Sequence, residues 1–255
     1  MKNQIKLILL IFILIFTSNF AQEMDNQAAI LYNEGNSLLH SGDYTGAVNK
    51  YNDALKIQNH YKILYQKGIA LKKQNKNEEA ITVFNSCIGA NSGFDLAYNG
   101  KGGAEFSAGK YLDAVHSFEK FKSLTTSQQN KNNADLYIAL AYTQLAKNTK
   151  ADGNHEKAIE YLNTAVGYNK YDAAYLLMAE IYCDLGKYND AITAADNALN
   201  NRKSNSKISK VAPYYYKGVA FRNLGNNTKA IENFELCKND PTYGPTAKYE
   251  LDRLK

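Results

Sequence analysis

Tryptophan is absent from this chain, and cysteine nearly so, with three among 255 residues. An odd count leaves at least one thiol unpaired. No two of Cys87, Cys183 and Cys237 stand at zinc-ligand spacing. The four histidines, His40, His60, His116 and His155, are scattered without a His-x-x-x-His pair or a ligand-spaced carboxylate, so no metal site is expected. Neither a nucleophile elbow nor a phosphate cradle is present, since Gly102-Gly103 sits inside a helical pattern rather than after a strand. We therefore expect no catalytic residues, no cofactor and no enzymatic activity. Strong charge is lacking too. The formal balance is +5, falling to 28 − 25 = +3 once residues 1–21 are set aside, and no concentrated basic face points to nucleic acid.

Long apolar runs are also missing. Leu7 to Phe16 is an unbroken stretch of ten, about half of the roughly 20 residues a membrane-spanning helix needs. Lys2 and Lys6 precede it, and short side chains lead to Ala21. Residues 1–21 thus read as a secretory signal peptide cleaved after Ala21, which predicts an exported protein, periplasmic or secreted, with no stable membrane span afterwards.

What the chain does have is recurrence. Ala47, Ala80, Ala114, Ala158, Ala191 and Ala230 follow one another at 33, 34, 44, 33 and 39 residues, and each opens the second helix of a helix–turn–helix unit. Such a period belongs to a solenoid, whose single units cannot bury their apolar faces alone. The first repeat supplies Leu31, Gly35, Leu38, Gly42-Asp43-Tyr44, Tyr51 and Ala54, and the second supplies Leu64, Gly68, Leu71, Phe84 and Cys87. The third has Tyr98, Gly102, Gly109-Lys110-Tyr111, Phe118 and Phe121. The fourth carries Tyr137, Ala141, Leu162 and Ala165, the fifth Tyr175, Ala179, Gly186-Lys187-Tyr188 and Ala195, and the sixth Tyr214, Gly218, Gly225, Phe234 and Cys237. Glycine inside a helix costs about 1 kcal/mol relative to alanine, so Gly35, Gly68, Gly102 and Gly218 must serve close approach of the second helix to the first. Tyr51, Phe84, Phe118 and Phe234 are expected to fill space toward the next repeat. Polar inserts at 125–133, 148–154 and 200–210 are expected to loop out of the stack.

These units resemble the tetratricopeptide repeat across about four fifths of the chain. The resemblance implies an all-α solenoid over 22–255, a right-handed superhelix of about six helix pairs. Its repeats would span about 28–60, 61–94, 95–127, 134–170, 172–205 and 211–242, with a capping helix at about 244–255. It also implies that the first helix of each pair, helix A, lines a concave groove that takes a protein or peptide. The groove positions fall on Tyr32, Asn36 and Leu39, then Tyr65, Ile69 and Lys72, then Asn99 and Phe106. They continue through Ile138, Tyr142, Leu176, Glu180, Tyr215 and Arg222. Some family members clamp a terminal carboxylate with lysine and asparagine. Asn36 matches one slot, but Tyr32, Leu96 and Gly100 stand where basic residues are required, so that function is not carried over. The expected role is a non-catalytic scaffold in a cell-envelope assembly or secretion complex, with a periplasmic chaperone or carrier as the alternative.

Overall fold

The computed structural model describes residues 23–254, so the expected signal peptide and its cleavage point lie outside the described residues. Among the described residues there are thirteen helices and no strand, an all-α repeat solenoid. The chain packs as two compact units that meet at Ser92 and Gly93.

The N-terminal unit holds α1 (Asn26–Ser41), α2 (Tyr44–Ile57), α3 (Tyr61–Lys73) and α4 (Asn77–Ala90). Local chemistry sets the helix starts. The Asp25 carboxylate accepts from the Gln27 and Ala28 amides, and Asp43 accepts from Gly46 N at 2.8 Å, satisfying donors that the first turn leaves orphaned. The α1–α2 turn passes through Gly42 at φ 87°, and the α3–α4 turn through Asn75 at φ 61°. Asparagine is one of the few side chains that tolerates this left-handed conformation. Asn75 therefore does in the second pair what glycine does in the others.

The C-terminal unit contains α5 (Asp95–Ser107), α6 (Tyr111–Leu124), α7 (Gln128–Ala151) and α8 (His155–Tyr168). It continues with α9 (Asp172–Asp184), α10 (Tyr188–Asn200), α11 (Ala212–Asn223), α12 (Asn227–Cys237) and α13 (Gly244–Leu254). Within each unit every helix A packs on its own helix B, and helix B packs on the following helix A.

The core is built around a glycine–aromatic contact inside each pair. A Cβ placed on Gly35 would come within 2.5 Å of the Tyr51 ring, on Gly68 within 2.7 Å of Phe84, and on Gly218 within 2.7 Å of Phe234. Gly102 meets Phe118 in the same way at 2.9 Å. The four rings are essentially buried. This corrects the expectation that they point chiefly at the next repeat: each lies over the glycine of its own helix A. Where the glycine becomes alanine the partner shrinks, to Leu162 opposite Ala141 in sequence register and to Ala195 opposite Ala179.

The inserts depart from the expected loops. Gln128 to Asn133 forms the start of α7, capped by Ser127 Oγ accepting from Asn130 N, and 148–151 is its last turn. The result is a helix of 24 residues. Extending an existing helix gains one hydrogen bond per residue without a new nucleus. Amide pairs one turn apart support it, with Gln128 donating to Asn132 at 2.9 Å and Gln129 to Asn133 at 3.0 Å. Residues 201–211 are non-helical but anchored. The Arg202 guanidinium donates to Ile208 O at 2.9 Å, Ser206 Oγ donates to Asp172, and Ser209 Oγ donates to Asp240 at 2.9 Å.

All three cysteines are free thiols, and the equivalent Cys87 and Cys237 are fully buried. Burial pushes Cys87 and Cys183 up to about 12 and Cys237 up to about 11. Thiolate is the reactive form. Native protein at pH 8 should therefore react with Ellman's reagent far more slowly than urea-unfolded protein, and a fast native phase of one thiol or more would contradict this packing.

Candidate binding face on the A helices

Thirteen of the fourteen expected groove residues, from Tyr32 to Arg222, are half-buried, neither sealed in the core nor fully open. Ile138, at an equivalent position on α7, is the exception: it is fully buried and is removed from the set.

In the N-terminal unit the face is formed by α1 and α3. Tyr32 lies 6.1 Å from the Tyr51 ring and Tyr65 lies 6.1 Å from Phe84, so each tyrosine leans on the aromatic that occupies its own repeat's glycine slot. Tyr51 OH donates to Asn36 Oδ1 at 2.8 Å, which fixes the Asn36 amide. Leu39 packs at the edge of the same core. Ile69 and Lys72 complete the row, one and two turns beyond Tyr65 along α3. Burial, with Lys73 adjacent, lowers the Lys72 ammonium below its ordinary range.

In the C-terminal unit the matching register positions change character along the chain. Phe106 meets Tyr111 edge-on at 5.3 Å. Tyr142 stands 6.1 Å from Tyr161 and 6.2 Å from Tyr168, and Tyr168 OH donates to Glu119 at 2.8 Å. Asn99 and Leu176 remain half-buried. Glu180 is held by Lys150 at 2.6 Å, from the last turn of the lengthened α7, and Lys150 also reaches Asp184 at 3.6 Å. Tyr215 lies tilted against Tyr243, just before α13, at 4.9 Å, and Arg222 pairs with the buried Glu250 of α13. The C-terminal segment from Tyr243 through α13 thus engages the last two expected groove residues. The charged partners of Glu180 and Arg222 escaped sequence reasoning: Glu250 is 28 residues from Arg222, and Lys150 falls in a stretch that reads as a loop.

Among the described residues no group of histidine, cysteine, aspartate or glutamate could hold a metal ion. No described helix is long and apolar enough to cross a membrane. The chemistry of the face is contact chemistry: aromatic rings, aliphatic side chains and a few charges.

Tetratricopeptide-repeat models match residues 61–94 and 150–211. Those two segments carry tetratricopeptide repeats. Tetratricopeptide repeat protein 1 of Schizosaccharomyces pombe is 32% identical over 109 residues, which is 41% of this chain and 10% of that much longer protein. Among solved structures, MamA from Desulfovibrio magneticus RS-1 superposes with a TM-score of 0.53 at 22% identity, covering 72% of this chain and all of that one. PilF of Pseudomonas aeruginosa gives 0.52 at 13% identity, over 90% of this chain and all of that one. YrrB, described as a tetratricopeptide protein with an unusual peptide-binding site, gives 0.50 at 17% identity, over 78% of this chain and 97% of that one. At these identities the likeness concerns the fold of the repeats.

Proposed function

We propose that this protein is a non-catalytic scaffold that holds a segment of another polypeptide along the A-helix face. The observation that carries this reading is the recurrence of half-buried aromatic and aliphatic side chains at one register on successive A helices, including Tyr32, Tyr65, Ile69 and Phe106. Side chains so placed are held by their own repeat yet keep surface to offer, and successive pockets of this kind suit a peptide laid across repeats. The peptide-binding site named for YrrB supports the same use of the fold. The N-terminal pattern of residues 1–21 supports an exported protein, and we place the scaffold in a cell-envelope assembly or secretion complex.

Affinity capture from a cell-envelope fraction, followed by titration of the recovered partner, tests this. Ile69→Arg should weaken partner binding at least about tenfold, because a charge enters an apolar contact. Asn85→Arg, on an exposed position of α4, should leave binding unchanged. Equal loss from both substitutions, or from neither, would sink the assignment. Weak binding to many unrelated unfolded chains would point instead to a carrier for exported proteins.

A further inference from the structure

The charges on the A-helix row are not equivalent. Glu180 is neutralised by Lys150, and Arg222 by Glu250. Lys72 is not. It is half-buried at the matching register of α3, and no carboxylate of the described residues forms an ion pair with it. The charge it feels most is the like charge of Lys73. Both lysines sit in the last turn of α3, where a cation suits the helix dipole. Exposed Lys73 already meets that need at little desolvation cost, and the dipole does not require that Lys72 be half-buried.

A lysine whose stem is half-buried and whose ammonium has no ion-pair partner is held in place and open to a carboxylate, with which it makes a charge-assisted hydrogen bond. Beside it along α3 are Ile69, one turn back, and Tyr65, two turns back. All three face the same side, since residues three and four apart on a helix are neighbours. The pattern is a cation followed by an aliphatic and then an aromatic surface.

Resting on the groove-binding reading, we propose that the α3 face selects a partner segment carrying an internal aspartate or glutamate. Its side-chain carboxylate would meet Lys72 Nζ while a neighbouring apolar side chain lies on Ile69 and Tyr65. This differs from capture of a chain terminus by paired basic residues, for which the required positions hold Tyr32, Leu96 and Gly100.

The test uses the full chain and an immobilised array of 12-residue peptides. Each carries central aliphatic or aromatic residues flanked by Asp or Glu, with matched Asn or Gln versions, and each is made with a free and with an amidated C-terminus. Wild-type protein should prefer the acidic peptides about tenfold, the scale of one charge-assisted hydrogen bond. Lys72→Gln should abolish that preference while retaining residual binding, and Lys72→Glu should favour lysine-containing analogues. Unchanged melting of Lys72→Gln guards against a folding artefact. Preference that survives Lys72→Gln, or is absent in wild type while Ile69→Arg still abolishes binding, overturns the carboxylate assignment and leaves the groove reading intact. Binding that amidation alone removes assigns the preference to the terminal carboxylate and overturns the proposal as well. Binding untouched by Ile69→Arg overturns both readings.

Discussion

Gly68→Ala should destabilise the second repeat although alanine is the better helix former. The new Cβ would stand 2.7 Å from the Phe84 ring, which is fully buried and cannot swing away. Overpacking of this kind costs about 1–3 kcal/mol, set against about 1 kcal/mol gained in propensity. Gly68→Leu should go further and unfold the pair locally. The decisive variant is the double change Gly68→Ala with Phe84→Leu, which copies the alanine and leucine that the fourth repeat carries at 141 and 162. Phe84→Leu alone opens a cavity. Combined, the two should be coupled favourably by about 1 kcal/mol or more, as residues in contact are. Hydrogen exchange of the α3 and α4 amides reports this best, because repeat arrays do not melt as a single step. Unaltered protection in Gly68→Leu, or strict additivity in the cycle, would show that the two residues do not share a contact.

Arg222→Leu should cost more than the double change Arg222→Leu with Glu250→Leu. Glu250 is 7% exposed, and its second carboxylate oxygen already has no hydrogen-bond partner. Removing the arginine strands that charge, and breaking a buried pair from one side costs about 3–5 kcal/mol. Arg222 is partly exposed, so the lower end applies. Leucine at both positions removes the burden, since apolar replacement of a buried pair is often neutral. The loss should appear as faster exchange across α13 with little effect in the N-terminal unit. Equal destabilisation by the single and double variants would mean that the pair is held by packing rather than charge.

The repeat core was largely legible in the sequence because its two halves constrain each other. Glycine and aromatic stand 16 residues apart in four repeats, as in Gly35 with Tyr51 and Gly218 with Phe234. In the fourth, Ala141 and Leu162 are 21 apart, and the five added residues lie in the end of α7 and its turn. The lengthened helix was not legible. Asparagine-rich, charged segments look like linkers when judged alone, and only attachment to a formed helix makes them extend it. The half-buried A-helix register proposed for binding was legible, but the state of its charges was not. Which row positions are occupied depends on Lys150 and Glu250, whose reach across helices leaves no local pattern. The unneutralised Lys72 emerged only once every other charge on the row had found its counterpart.

The anchored segment 201–211 has a mechanical consequence. Ser206 fastens it to Asp172 at the start of α9, and Ser209 fastens it to Asp240 beyond α12. In a plain stack each pair touches only its neighbours, so ends fray and unfolding proceeds pair by pair. Here Ser209 and Asp240 close a loop around α11 and α12, and Ser206 ties that loop back to Asp172, so the two helices leave together by breaking the Ser206–Asp172 bond. Under force or protease α11 and α12 should come apart as one block, after α13, which lies beyond the Asp240 fastening.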